Sequence, residues 1–122
     1  METFRFRNFP FYQAAKQLFK SIVKLSRGFS RDYWELADQM RRCSLSICLN
    51  IAEGSAKRSD KDFNRYLENS LGSIGEAVAC LDVALSIGLI TDREFLSLVE
   101  KAESIKKQLG GFSRKLVSSI KS

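Results

Sequence analysis

Apolar residues recur along this chain at alternating steps of three and four, the spacing that puts side chains on one face of an α-helix. Phe11, Ala15, Leu18, Ile22 and Leu25 form the first such stripe and predict a helix over about 9–26. Gly28 is a natural stop, and Ser30 a candidate N-cap for the next helix, with Asp32 and Glu35 suited to its positive end. A second stripe, Tyr33, Leu36, Met40, Cys43, Ile47 and Ile51, predicts a helix over 31–54, ending near Gly54. Ser59 and Asp62 approximate a capping box for a third helix over 59–87, ending near Gly88. Its stripe is Phe63, Leu67, Ser70, Ile74, Ala77, Leu81 and Ala84. Thr91 and Glu94 make a full capping box for a fourth helix over 91–120. Phe95, Leu98, Ala102, Ile105, Leu109, Phe112, Leu116 and Ile120 complete its stripe.

No segment alternates with period two between turn signals, so no strand is predicted. Pro10, the sole proline, lies ahead of the first stripe, and nothing after it breaks a helix. Four amphipathic helices with short connections bury their stripes against one another. The predicted fold is therefore all-α, an antiparallel up-down-up-down four-helix bundle, with residues 1–122 as a single domain and a rod roughly 35–40 Å long. Gly110 and Gly111 interrupt the fourth stripe at a cost of about 1 kcal/mol each relative to Ala, which predicts a bend or a close approach. Gly72, Ser73, Gly75, Ala77 and Ala79 make the third helix small-sided. Two readings stand side by side: close packing against the second or fourth helix, or a contact between subunits.

Composition adds little to the fold but excludes alternatives. At 122 residues, 44% hydrophobic and 28% charged, the chain resembles a globular domain able to fold without disulfides or metals. Its uncharged runs fall far short of the roughly 20 residues that span a bilayer. The N-terminal segment lacks the apolar core of a secretory signal, so a cytoplasmic location is expected. Three cysteines, Cys43, Cys48 and Cys80, are an odd number without metal-ligand spacing and are read as small, buried or half-buried apolar residues.

Charge changes the picture more. The net charge is +6, but residues 1–31 carry seven cations against Glu2, and residues 101–122 carry six against Glu103, leaving the middle at −5. In an up-down-up-down bundle the first and fourth helices are neighbours, so both basic segments are expected on one side. Lys16, Lys20 and Lys24 follow one another at i, i+4 and align as a ridge suited to phosphates. Phe4, Phe6, Phe9 and Phe11 exceed what one stripe buries. They are expected to pack either on the same bundle or across a boundary between copies.

Candidate chemistry is sparse. The absence of histidine removes the commonest general base and metal ligand. No phosphate-cradling glycine loop follows a strand. Glu53, Glu68 and Glu76 lack the histidines that accompany carboxylates in di-metal bundles. No enzyme activity, cofactor or metal is expected. Asn50 and Glu53, beside the core seam at the end of the second helix, are read as hydrogen-bonding groups, with Arg41, Arg42 or Arg65 as candidate partners.

The segment from Arg41 to Gly54, including Arg42, Ser46, Ile47, Asn50, Ile51, Ala52 and Glu53, resembles the Arg-Arg-Ala-x-x-Ser-Ile-x-x-Asn-Ile-Ala-Glu-Gly signature of the bacterial four-helix-bundle family of 23S rRNA intervening-sequence proteins. Phe9 to Ala15 is similar to that family's opening block. Phe63 to Leu67, and Ser70 to Glu76 with Gly72 and Ser73, are similar to its later blocks. Tyr12 and Ala14 depart from the opening, and Cys48–Leu49 stands where Pro-Ser is frequent, which makes a kink in the second helix less expected. The resemblance implies a four-helix fold, a cyclic homopentamer and no enzyme activity. Related accessory proteins of diversity-generating retroelements imply a basic assembly that binds nucleic acid and a reverse transcriptase.

Together these readings predict a non-enzymatic homo-oligomeric bundle binding RNA or DNA through Lys16, Lys20, Lys24, Arg27, Lys106, Lys107, Arg114 and Lys115 of the first and fourth helices. The alternative is a structural or adaptor protein whose charged faces serve subunit assembly and a protein partner.

Overall fold

The computed structural model describes residues 3–121; Glu2 lies outside them. Four helices account for most of the chain: α1 (Pro10–Ser26), α2 (Trp34–Ser55), α3 (Asp60–Ser86) and α4 (Asp92–Lys121), with 3₁₀ turns at Arg5–Asn8 and Arg31–Tyr33. Each boundary has a local cause. Pro10 occupies the first turn of α1, where its missing N–H costs nothing. Ser30 accepts from the Asp32 amide, but it caps the 3₁₀ turn, so α2 begins three residues later than the pattern predicts. Ser59 caps α3 through the Asp62 amide. Thr91 and Glu94 close a reciprocal box at α4, with bonds of 2.9 and 3.1 Å. Gly88 ends α3 at φ +76, and the Leu89 amide reaches back to Ala84 O at 2.9 Å.

Contacts between helices establish the topology. Ser46 Oγ meets Ser73 Oγ at 2.9 Å and Ser70 Oγ donates to Ile47 O at 2.9 Å, an antiparallel register of α2 on α3. Asn64 with Ser113, and Asp60 with Ser119, set α4 antiparallel to α3. Lys101 with Ser21 ties α4 to α1, while Arg41 donates to Ser26 Oγ across the α1–α2 turn. The bundle is therefore up-down-up-down, as its short connections require. One apolar cluster, with Leu18, Ile22, Met40, Ile47, Leu67, Leu81, Ile105 and Leu109 at its centre, draws on all four helices. Among the described residues no buried side-chain nitrogen or oxygen lacks a hydrogen-bond partner, and no helix is long and apolar enough to cross a membrane.

At the end of the bundle near Pro10, Phe9, Phe11, Phe63 and Phe112 form an aromatic cluster with centroid separations of 4.9–6.2 Å. Arg5 closes over it, 5.2 Å from the Phe63 ring, and donates Nε to Ser55 O at 3.1 Å. Phe9 and Phe11 thus pack on their own bundle, and Phe6 stands edge-on to Tyr12, whereas Phe4 remains exposed.

Several positions depart from the pattern. Tyr33 and Ile120 continue their stripes in sequence but are exposed, because each lies at a helix end beyond the reach of a neighbouring helix. Ala37, Ser44 and Cys48 widen the buried face of α2 instead. α4 continues through Gly110 and Gly111, and a Cβ at either would meet only the Arg114 guanidinium, at 3.6 and 3.8 Å, so no close approach requires them. Gly72 and Gly75 face open space, so intramolecular packing does not account for them. Of the five small residues singled out in α3, Ser73 and Ala77 are the ones buried within the bundle.

Candidate nucleic-acid interface

Seven of the eight predicted cations are exposed on α1, its C-terminal cap and α4; Lys16 is half-buried. They do not form one face. The row Lys16, Lys20, Lys24 drifts around α1, since four residues overshoot a turn by about 40° at each step. At one end Lys16 leans toward α2, its ammonium 5.2 Å from the Tyr12 ring and close to the Cys48 thiol. At the other end Lys24 reaches the groove between α1 and α4.

That groove, of about 520 Å³, is lined by Ser21, Lys24 and Leu25 of α1 and by Arg93, Ser97, Leu98 and Lys101 of α4, with Glu94 at its edge. Leu25 and Leu98 provide its apolar lining, and Lys101 Nζ donates to Ser21 Oγ at 3.0 Å. Three cations from two helices converge here. Glu94 offsets them only in part, as one carboxylate against three cations, and its Oε1 is held at the helix start by the Thr91 amide. Lys106, Lys107 and Arg114 instead border a second groove of about 510 Å³ on the opposite flank of α4, against Leu71 of α3 and beside Glu103. The expectation that α1 and α4 cations share one side therefore holds for Lys24 but not for these three. Arg93 and Lys101 are the residues absent from the predicted set. Their signal was the 93, 97, 101 spacing beside the α4 stripe, which is legible only once the flank facing α1 is known.

Ion pairing sharpens the contrast between faces. Among the described residues, the pairs within 4 Å are Asp38–Arg42, Glu53–Lys57 and Asp62–Arg65, all local in sequence and confined to α2, α3 and their connection. None involves a cation of α1 or α4. Their positive charge is thus left for solvent ions or a ligand.

The signature residues mostly serve the α2–α3 contact. Asn50 Nδ2 donates to Ser46 O and Oγ at 2.9 and 3.0 Å, and Ser46 in turn meets Ser73, making a short polar chain between the helices. Neither Asn50 nor Glu53 pairs with the arginines suggested by sequence; Glu53 takes Lys57 and Arg42 takes Asp38. Gly54 is buried where α2 crosses α3, and a Cβ there would lie 2.8 Å from Tyr66 Cβ and 2.9 Å from Phe63 Cδ1. Glu76 is exposed beside the Cys43 and Cys80 thiols.

Comparison with known proteins agrees with this architecture. A crystal structure of a protein of unknown function from the S23 ribosomal protein family of Bacteroides thetaiotaomicron superposes with a TM-score of 0.66 at 24% identity, covering 84% of this chain and 91% of that one. At that identity the likeness speaks for the fold. No curated protein is significantly similar in sequence. The profile of the 23S rRNA-intervening sequence proteins matches residues 7–111, a span that holds α1, α2, α3, the first two thirds of α4 and every signature residue named above, and the chain belongs to that family.

Proposed function

We propose that this protein is a non-enzymatic, homo-oligomeric bundle that binds nucleic acid electrostatically, with the α1–α4 groove as its principal contact. The observation that carries the proposal is the convergence of Lys24, Arg93 and Lys101 on one groove, none of them paired with a carboxylate among the described residues. Lys20 extends the same surface along α1. Ammonium and guanidinium groups over an apolar floor suit a phosphate backbone better than base edges, so binding is expected to be tolerant of sequence and steep in salt.

The test is binding of labelled structured RNA and duplex DNA over a salt series, comparing two charge-reversed proteins whose folding is checked by circular dichroism. Replacing Lys24, Arg93 and Lys101 by Glu is expected to abolish binding and to remove the salt dependence, about 0.9 log units per log unit of salt for each duplex phosphate contacted. Replacing Lys106, Lys107 and Arg114 by Glu is expected to weaken it less. Absence of binding by the native protein at low salt would overturn the proposal. Loss only in the second variant would move the contact to the α3–α4 groove.

The adaptor reading draws on a different observation. Leu45 and Leu49 on α2, Val83 on α3 and Ile87 at its C-terminal cap are 40–57% exposed, and Gly72 of α3 leaves room for an approaching surface. Assembly through this face is compatible with nucleic-acid binding on the other. Sedimentation equilibrium of Val83→Asp/Ile87→Asp against the native chain tests it, a shift to monomer being the expected result.

A further inference from the structure

Where α1 turns into α2, the chain exposes aromatic surface that neither the core nor the groove contact uses. Trp34, the sole tryptophan, is 62% exposed, and Tyr33 beside it 38%. An indole carries one of the largest apolar surfaces of any side chain, yet this one begins a helix and stays in water. Among the described residues neither ring takes part in an aromatic or cation–π contact. The turn that carries them is nevertheless fixed. The amides of Gly28, Phe29 and Tyr33 donate to Leu25 O, Ser26 O and Ser30 O at 3.0–3.2 Å, and Phe29 packs on the core. The Trp34 amide donates to Arg31 O, closing a 3₁₀ turn in which side chains three residues apart eclipse, so Arg31 and Trp34 project on the same side. Trp34 also stands about two helical turns before Arg41, on the flank of α2 from which Arg41 reaches Ser26 Oγ of α1 at 2.9 Å. Arg27, exposed, follows Ser26, and Lys24 of the α1–α4 groove lies about one turn earlier.

We propose that Trp34, with Tyr33 and the arginines around it, is a stacking platform for unpaired bases, so that the nucleic acid bound at this end of the bundle is single-stranded. The inference rests on the α1–α4 groove reading and extends it from the phosphates to the bases. Bases inside a duplex stack on one another and leave no face for an indole, whereas an unpaired base offers a π-face whatever its sequence. Arginine suits both parts of such a strand, since its planar guanidinium stacks on rings and pairs with phosphate. Cations of the groove lead through Lys24 and Arg27 to Arg31 and the indole, so one strand meets phosphate contacts first and a ring after them. Charge also selects the occupant. Asp32 and Glu35 are the exposed carboxylates of this turn; both lie at the positive end of α2, which takes up part of their charge, and Lys24, Arg27, Arg31 and Arg41 outnumber them. A polyanion with flat apolar rings matches that mixture better than an apolar protein surface does.

The experiment titrates the full chain with three labelled oligonucleotides of equal length: a single strand, its duplex, and an abasic strand of the same charge. Label anisotropy gives affinity, and the emission of Trp34, the sole tryptophan, reports stacking directly. The single strand is expected to quench that emission and to bind more tightly than the abasic strand, which should leave it unchanged. Trp34→Ala should weaken single-strand binding roughly 5- to 150-fold, the range for one stacked base, while duplex and abasic binding stay as they were. Trp34→Phe, which keeps a ring, should retain most of the affinity. The side chain is exposed, so both variants should keep the native circular dichroism. Single-strand binding without quenching, and unaltered in Trp34→Ala, would overturn the platform and leave the groove contact standing. A changed sedimentation of Trp34→Ala without nucleic acid would assign the indole to a contact between copies and overturn it as well. Failure of all three oligonucleotides to bind would overturn the groove reading, and the platform with it.

Discussion

Replacing Gly54 by Ala should destabilise the protein, although the same change in an exposed helix usually stabilises. Gly54 lies in α2 with an ordinary negative φ, so its backbone does not require glycine. Its space does. An added Cβ would sit 2.8 Å from Tyr66 Cβ, 2.9 Å from Phe63 Cδ1 and 3.2 Å from Phe63 O. Neither neighbour yields cheaply: the carbonyl belongs to α3, and the Phe63 ring is 2% exposed, 5.4 Å from Phe112 and capped by Arg5. Forced overpacking of this kind costs about 1–3 kcal/mol, and restoring it by separating α2 from α3 would strain the Ser46–Ser73 and Ser70–Ile47 bonds. Helix propensity returns at most about 1 kcal/mol, and less at the last turn. The expected net loss is about 2 kcal/mol, a fall in Tm of about 8 °C for a chain of this size. Gly110→Ala is the matched control, because its Cβ meets only the Arg114 guanidinium at 3.6 Å; it should gain about 0.5–1 kcal/mol. Thermal and urea melts of both variants decide the matter. Gly54→Ala melting at or above the native protein would refute the close-contact argument.

Two further outcomes follow from the same structure. Gly88→Ala places a methyl group on a residue at φ +76 and should cost about 1 kcal/mol, read as a lower urea midpoint with an unchanged slope. Alkaline pH should also destabilise the reduced protein. Burial raises Cys43 to about 12 and Cys48 to about 11 from an ordinary 9.0, so the unfolded chain loses these protons first. Their contribution is complete below pH 9 and is lost as pH rises toward 11 and 12, at up to about 1.4 kcal/mol per pH unit for each thiol. A Cys43→Ala/Cys48→Ala variant, melted with reductant across pH 8 to 11, should show a shallower decline; an identical decline would refute the assignment.

By itself the amino-acid pattern determined the four helices, their approximate ends and most of the core. Helix periodicity, caps and glycine stops act within a few residues, and the buried residues of α1 and α3 follow their stripes closely. Short connections then left antiparallel neighbours as the economical topology. The signature residues also identified the family, whose profile covers residues 7–111. What a periodic pattern does not encode is which flank of a helix meets which neighbour. A stripe defines the direction of the core, but the hand of the bundle decides whether Lys101 or Lys106 faces α1, and only the packed structure showed that Arg93 and Lys101 join Lys24. The same limit hid the reasons for the glycines. Gly54 is crowded by Phe63 and Tyr66 while Gly72 faces open space, a difference set by whether a neighbouring helix lies against that side of the glycine. The Ser46–Ser73 contact likewise depends on the α2–α3 register, a long-range property that no local spacing contains.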